Sequence, residues 1–304
     1  MKSIDRMGRG HQHLGARRRA AWKGTGTVVS PASPADVALA SHCRLNHLEF
    51  CRELARWSGR VGEVAERDGV VMFATATEFP VLCNGAMRLD GSTPADRALD
   101  LADEWFAERG RGWSLITSDL GADADADLVA AATARGLLAV GASPAMVCDS
   151  PLEPASLPDG IEARWLDEDG RVEDFVAVCD AAYQSLGMPP QVIVDLVRDP
   201  ARVVEPHLRT VVLHRAGGEP VACAQLLLSH GAAGVYYVGT VESARGQGLA
   251  ELATRLVTNL AFELGAPWVT LQASSMGESI YRRMGYRDLY GTATFARFAP
   301  EAAA

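Results

Sequence analysis

Apolar and polar positions follow the same order of predicted elements in two successive blocks of the chain. In the first block, apolar residues recur at intervals of three and four over residues 36–57, which predicts a helix. Three strand-like runs follow at 61–66, 70–76 and 79–89, punctuated by the turn residues Arg67-Asp68-Gly69 and Asn84-Gly85. A helix at 94–109 with Thr93 as N-cap, a strand at 113–117, a helix at 126–135 and two short strands ending near Asp149 complete the block.

The second block begins after a proline-rich segment, residues 150–160, which is typical of a linker between domains. Its predicted elements are a strand at 161–165, helices at 172–184 and 191–197, strands at 208–214, 220–228 and 233–241, a helix at 248–264, a strand at 268–273, a helix at 276–284 and a strand near 288–298. We therefore predict two α/β domains with mixed sheets, at 31–149 and 161–304, preceded by a disordered basic tail at 1–30.

The predicted strand at 233–241 runs directly into a glycine-rich turn, Arg245-Gly246-Gln247-Gly248, which opens the helix at 248–264. A leucine stripe at 249, 252, 256, 260 and 264 supports the helix, and Gly265 supplies its end. Unpaired N–H groups at a helix start, together with the helix dipole, form an anion site that suits phosphates. Glycine at 246 and 248 lets phosphates approach the backbone closely.

Two other phosphate-binding turns are excluded by the order of these residues. The turn lacks the Gly-x-Gly-x-x-Gly order of dinucleotide-binding sites, and it lacks the Gly-Lys-Ser/Thr ending of nucleoside-triphosphate loops.

Charge and hydropathy narrow the possible partners. The net charge of −9 argues against general nucleic-acid binding, and no apolar run reaches the ~20 residues of a membrane span. Residues 1–24 nevertheless carry seven lysines and arginines against Asp5 alone, without the apolar core of a secretory signal. We interpret them as a disordered extension or an over-long gene start, and keep a nucleic-acid-binding arm as the alternative.

The six cysteines have no paired spacing, so we expect reduced, buried thiols in a cytoplasmic protein without metal. The spacing of two of these cysteines and a histidine offers a metal site as the alternative. Cys43, His47 and Cys51 lie four apart on one predicted helix face, where they could ligate zinc, but no fourth ligand is apparent. A half-buried helix face explains them better.

The segment from Gly234 onward resembles the GNAT superfamily of N-acetyltransferases. Arg245-x-x-Gly248-x-Ala250 after a strand is similar to the family's Arg/Gln-x-x-Gly-x-Gly/Ala motif, and Tyr281-Arg-Arg-Met-Gly285-Tyr286 is similar to its Tyr-x-x-x-Gly-Phe/Tyr ending. The resemblance covers about 161–298 in detail, whereas residues 31–149 share only the order of elements. It implies an α/β fold of two tandem GNAT-like acyl-CoA N-acyltransferase domains.

The resemblance also implies a set of residues that bind acetyl-CoA as cosubstrate. The strand before the turn, at Val238, Gly239, Thr240 and Val241, would pair with the pantetheine arm. The residues expected around the pyrophosphate and the cofactor arm are Arg245, Gly246, Gln247, Gly248, Leu249, Ala250 and Ser274.

Tyr281 matches the family tyrosine that faces the sulfur of coenzyme A, so we expect it to act as general acid; a packing aromatic is the alternative. The general base is open. Glu242, beside the turn, is the nearest carboxylate, although a solvated turn residue explains it better. His230 is a more remote candidate. Ser275-x-x-Glu278 predicts a capping box, which gives Glu278 a structural role, and ordered water would replace a base residue.

The first block carries Asp90-Gly-Ser-Thr-Pro-Ala-Asp96 where the second carries its glycine turn. Carboxylates at a helix start repel a pyrophosphate, so we expect a degenerate copy, as in tandem GNAT proteins such as mycothiol-synthase-like enzymes. It would support the second domain, shape the amine pocket or mediate a homodimer.

The expected activity is acetyl transfer to a primary amine by direct attack in a ternary complex. An acyl-CoA-binding sensor without turnover is the alternative, and a longer acyl group is a third possibility. The acidic chain would attract a cationic acceptor.

Overall fold

Eleven strands form one mixed sheet in the computed structural model, which describes residues 33–120, 125–166 and 171–299. The predicted tail at 1–30 lies outside these residues. The strands are β1 (Glu63–Arg67), β2 (Val70–Ala74), β3 (Gly85–Arg88), β4 (Trp113–Ser118), β5 (Leu138–Cys148), β6 (Ile161–Trp165), β7 (Leu208–Arg215), β8 (Pro220–Ser229), β9 (Ala232–Thr240), β10 (Val269–Gln272) and β11 (Arg287–Arg297). Seven α-helices are found in the same residues: α1 (Pro34–Trp57), α2 (Ala95–Ala107), α3 (Ala126–Ala134), α4 (Val172–Tyr183), α5 (Val192–Leu196), α6 (Leu249–Glu263) and α7 (Glu278–Met284).

The order of strands across the sheet is β1-β2-β3-β4-β11-β5-β10-β9-β8-β7-β6. The last strand of each half is therefore exchanged: β11 pairs with β4 of the first half, and β5 pairs with β10 of the second. Only β3–β4 and β9–β10 are parallel among the described pairs, and each parallel pair lies near the centre of its half. The mixed α/β character expected from the sequence is confirmed. The domain bounds 31–149, 150–160 and 161–304 stay predictions.

Helix α1 crosses the middle of one face of this sheet and contacts both halves. Its 24 residues make it about 36 Å long, at ~1.5 Å per residue. Ser33 caps it, since its side chain accepts a hydrogen bond from the N–H of Asp36 at 3.2 Å. On the first half it packs with Leu48 and Cys51 against β2, β3 and β4, and on the second half with Phe50 and Trp57 against β9 and α4. The opposite face is covered by α2 and α3 in one half and by α6 and α7 in the other.

Three local predictions are corrected by tertiary contacts. The two short strands expected before Asp149 are one strand, β5, because β11 pairs along most of its length. Thr93 does not cap α2: its hydroxyl donates to the carbonyl of Asp68 in the turn after β1, and Pro94 is the N-cap residue. The buried face of α6 includes Leu249, Ala253, Val257 and Ala261, and the small residues among them allow the helix to sit close to the sheet. Leu264, which was expected in the buried stripe, is 48% exposed.

The linker region 150–160 is fastened to α6. The side chain of Asn259 accepts from the N–H of Leu152 at 2.8 Å and donates to its carbonyl at 3.0 Å. Among the helices of the described ranges, none combines the length and hydropathy that a transmembrane span requires.

Candidate functional site

Strands β9 and β10 separate after a short parallel contact. They pair only at Ala233–Val269 and Gly234–Thr270, although β9 continues to Thr240. The backbone groups of β9 beyond Gly234 on the β10 side therefore have no ladder partner in the described chain. A wedge-shaped opening results, with one free strand edge that can pair with an extended ligand.

The opening is shaped by a β-bulge in β9. Two residues, Tyr237 and Val238, face the single residue Ala224 of β8. Tyr237 has φ +48°, a left-handed conformation that is rare for an aromatic residue, and its carbonyl accepts from the Cys223 thiol at 3.3 Å. The bulge interrupts the ladder with β8 just before Gly239 and Thr240, which pair again with Cys223 and Ala222.

The glycine turn follows immediately and presents free N–H groups. Gly246 and Gly248 have φ +75° and +73°, and a side chain at either position would meet nothing within 4 Å. No acceptor is found in the described residues for the N–H groups of residues 246–251. Glu251, the only acidic residue of the first turn of α6, is paired with Arg255 at 2.9 Å. The geometry therefore fits the predicted anion site.

The other residues expected around the ligand lie on this opening or beside it. Val238 and Thr240 are half-buried and Gly239 is buried on β9, and Arg245 and Gln247 are exposed in the turn. Val241 differs, because its N–H donates to the carbonyl of Val221 and its own carbonyl accepts from Ala244, both at 3.0 Å. Backbone pairing with a ligand is therefore left to residues 238–240.

Ser274 and Tyr281 lie across the opening, on the turn after β10 and on α7. The side chain of Ser274 accepts from the N–H of Gly277 at 3.3 Å. Gly277 is enclosed by the Tyr281 ring, since a Cβ there would stand 2.7 Å from Cε2 of that tyrosine. This glycine carried no recognisable sequence signal, because its role depends on the packing of α7. The predicted capping box does not form: Ser274 replaces Ser275, and Glu278 pairs with Arg282.

The base candidates occupy different positions. Glu242 is exposed on a single 3₁₀ turn, residues 242–244, next to the glycine turn. His230 lies in the β8–β9 turn, nine residues before Gly239, which at ~3.3 Å per residue puts it about 30 Å from the end of the strand. His230 is therefore too far from the opening to take part.

Tyr281 is 8% exposed, and this burial raises the pKa of its phenol to about 12, opposed by a hydrogen bond with Thr254. A phenol whose pKa is raised keeps its proton up to that pH. We therefore expect no decline of kcat between about pH 7 and about pH 10 from ionisation of Tyr281. Initial rates at saturating substrates across this range check the expectation, and a descending limb below about pH 10 that vanishes in Tyr281→Phe would contradict it.

The first half has a comparable opening, but charged side chains fill it. Strands β3 and β4 pair only at Gly85–Ser114 and Ala86–Leu115. Next on β3, the buried guanidinium of Arg88 binds Asp127 at 2.7 Å and Asp125 at 3.0 Å. The contact with Asp127 is the main cause of a raised pKa of Arg88, and the same contact lowers the pKa of Asp127, so both groups of this pair are charged at neutral pH.

The start of α2 is occupied in a similar way. Arg135 pairs with Asp96 and Asp100 at 2.7 and 2.6 Å, where the second half has its free N–H groups. This agrees with the prediction that the first copy does not accept a pyrophosphate.

The cysteines, including Cys43 and Cys51 on α1, lie within the described residues. All six cysteines are buried free thiols. Within residues 33–120, 125–166 and 171–299, no group of three or more His, Cys, Asp and Glu side chains is placed to hold a metal ion.

Solved structures with the same architecture identify the fold. A GCN5-related N-acetyltransferase from Kribbella flavida superimposes with a TM-score of 0.63 at 22% identity, covering 86% of this chain and 96% of that one. One from Sphaerobacter thermophilus gives 0.57 at 16% identity, covering 90% and 96%. A tandem GNAT protein from the clavulanic acid biosynthesis pathway gives 0.53 at 14% identity, covering 90% and 98%. The chain has the tandem GNAT fold.

No family model and no curated protein matches the sequence. At 14–22% identity the structural likeness establishes the GNAT fold. Within the tandem GNAT fold, β9 and β10 are the diverging strands of the second copy, and β3 and β4 are those of the first.

Proposed function

We propose that the second half is an N-acetyltransferase that moves an acetyl group from acetyl-CoA to a primary amine by direct attack in a ternary complex. The observation that carries the proposal is the divergence of β9 from β10, which leads directly into a turn with unpaired N–H groups. An extended pantetheine arm fits a free strand edge, and a diphosphate fits a helix start.

The N–H groups of residues 246–250 would hold the pyrophosphate, and residues 238–240 would pair with the pantetheine arm. The thioester would then lie beside the bulge. The neutral amine attacks the thioester carbon, and N–H groups near Val238 and Gly239 stabilise the oxyanion. Collapse of the tetrahedral intermediate breaks the carbon–sulfur bond, and Tyr281 protonates the departing thiolate.

A proton must also leave the attacking nitrogen. Glu242 is the carboxylate nearest in sequence to the opening, and its exposure on the 3₁₀ turn lets it act through water. We therefore propose Glu242, or ordered water beside it, as the route of this proton.

The amine acceptor is proposed to be cationic before it is deprotonated. The chain carries 38 acidic against 29 basic residues, so its field attracts positive charge. The free cysteines suit a reducing compartment, and we keep the cytoplasm as the proposed location.

A screen of primary amines with acetyl-CoA, following release of the free thiol, tests the proposal. We expect turnover with at least one cationic amine, and parallel assays with longer acyl-CoAs establish the acyl preference. Binding of acetyl-CoA without turnover on any amine would instead support an acyl-CoA-binding sensor.

A further inference from the structure

Helix α1 belongs to the first half, yet it holds the strand that borders the opening in the second. Its buried Asn46 donates from the side-chain amide to the carbonyls of Leu227 and Ala232, at 3.2 and 3.3 Å. The amide oxygen accepts from the hydroxyl of Tyr236 at 2.8 Å. Asn46 thereby ties α1 to the hairpin of β8 and β9.

Two aromatic rings further along α1 extend this contact to the bulge. Phe50 stacks on Tyr236 with ring centroids 3.8 Å apart and lies 5.5 Å from the ring of Tyr237. Trp57 stacks on Tyr237 at 5.7 Å. From the other side, Phe175 of α4 meets the Tyr237 ring edge-on at 5.8 Å. The Tyr237 ring is therefore enclosed between two helices.

Packing alone holds this ring. Neither the hydroxyl of Tyr237 nor the indole nitrogen of Trp57 has a hydrogen-bond partner in the described residues, although both atoms are buried. The left-handed conformation of Tyr237 is sterically unfavourable and persists only where the surroundings impose it. The rings from α1 and α4 supply that constraint.

The bulge determines which way the following backbone groups point. Because side chains alternate along a strand, loss of the extra residue would exchange the faces of Gly239 and Thr240. In the observed register the α-carbon of Gly239 faces α4, where a Cβ would stand 3.0 Å from that of Ala182. Backbone N–H and carbonyl groups alternate between the two edges of a strand in step with the side chains. Loss of the extra residue would therefore also exchange the groups that face β8 with those on the free edge, so the bulge sets the donors that face the opening.

We propose that Phe50 and Trp57, from the first half, are positioning residues for acyl transfer in the second: they hold Tyr237 in the bulge and so orient the backbone donors of β9 toward the thioester. The inference rests on the proposed function and gives the degenerate copy a direct part in it. The glycine turn lies beyond the bulge, and its residues 245–248 are exposed, so we expect binding of the pyrophosphate not to depend on these rings.

The test compares two variants of the full chain at position 57. In Trp57→Leu the flat surface against Tyr237 is lost, and we expect kcat to fall about 10- to 100-fold with KM for acetyl-CoA within about 3-fold, as for a small misplacement of reacting groups. Trp57→Phe loses the unpartnered N–H and part of the ring area but keeps an aromatic face against Tyr237, so its kcat should stay within about 3-fold of the wild type. Trp105→Leu, in the separate core under α2, is the matched control that destabilises the first half without touching β9.

Equal loss of kcat in Trp57→Leu and Trp105→Leu, after correction for the folded fraction, would overturn the inference. A second readout needs no turnover: the backbone chemical shifts of Tyr237 and the amide shift of Gly239, which respond to the left-handed conformation. These chemical shifts should change in Trp57→Leu and persist in Trp57→Phe. Unchanged shifts in Trp57→Leu would refute the proposal that Trp57 holds Tyr237 in the bulge. If no amine is acetylated by the wild type, the proposed function fails, and these shifts still decide the role of Trp57.

Discussion

Replacing Tyr281 by phenylalanine is expected to lower kcat by about 10²- to 10³-fold, the range typical of general-acid catalysis, and to leave the affinity for coenzyme A unchanged. The hydroxyl is the only group removed, and the ring keeps its contacts with Gly277 and Tyr286. Without the phenolic proton, the sulfur must leave as an unprotected thiolate.

Burial of Tyr281 bears directly on this role. A phenol with a pKa of about 12 is a poor acid toward a thiolate in water, where a thiol titrates near ~8.5. The same surroundings act on the thiol, however. Burial raises the pKa of the Cys43 thiol to about 11 and that of Cys51 to about 12 in this protein. Burial next to Tyr281 would shift a ligand thiol in the same direction, which narrows the difference between the two pKa values.

Tyr286→Phe is the matched control for Tyr281→Phe. Tyr286 is also buried near the end of α7, and its hydroxyl shares a hydrogen bond with Thr258 at 2.6 Å. Its loss should lower stability and leave kcat per folded molecule intact. Rates and titrations with coenzyme A separate the two variants. A fall in kcat that is the same for both, or a loss of coenzyme A affinity in Tyr281→Phe alone, would speak against a general acid.

Replacing Gly234 by alanine is expected to lower the free energy of unfolding by about 3–5 kcal/mol, through overpacking and the disruption of buried hydrogen bonds. The added Cβ would stand 2.0 Å from Oδ1 of Asn46 and 2.5 Å from Cε2 of Tyr236. Neither neighbour can withdraw cheaply, because the Asn46 amide is bonded to carbonyls of the β8–β9 hairpin.

Gly141→Ala in β5 is the control for Gly234→Ala. It is also a strand glycine, but an added Cβ there meets nothing within 4 Å. Alanine should therefore be neutral or stabilise by up to about 1 kcal/mol. Denaturant unfolding of the two variants measures the difference. Equal stabilities would show that Asn46 does not occupy the space above Gly234.

Local patterns in the sequence are sufficient to predict most of the helices and strands and the glycine turn. Strand β6 and the helix starting at residue 249 depend on hydrophobic periodicity and turn residues, which are properties of short segments. The exchange of β5 and β11 could not be predicted, because it pairs segments about 150 residues apart in sequence. The two separate short strands predicted in place of β5 are the direct result of that missing partner.

The same difference between local patterns and distant contacts applies to the candidate site. Gly246, Gly248 and Tyr281 belong to compact motifs, and the structure places them around one opening. The contribution of α1 has no motif, since Asn46, Phe50 and Trp57 look like ordinary helix residues until β9 is packed beneath them. Leu264 was wrongly assigned to the buried stripe for a related reason: the small residues Ala253 and Ala261, not the leucines alone, define the close contact with the sheet.

Main-chain amides at the start of α6 are proposed to bind the diphosphate of coenzyme A. Calorimetric titration of the full chain with coenzyme A tests this binding, using two glycines of the same helix. Gly248 and Gly265 stand at its two ends with φ +73° and +86°, and a Cβ on either meets nothing within 4 Å. Alanine should strain both equally, but only at 248 does it stand where the phosphates must lie.

We expect one equivalent of coenzyme A per chain, an affinity at least about 10-fold weaker in Gly248→Ala, and no change in Gly265→Ala. No binding to the wild type, two equivalents per chain, or equal affinities for the two alanine variants would contradict the account.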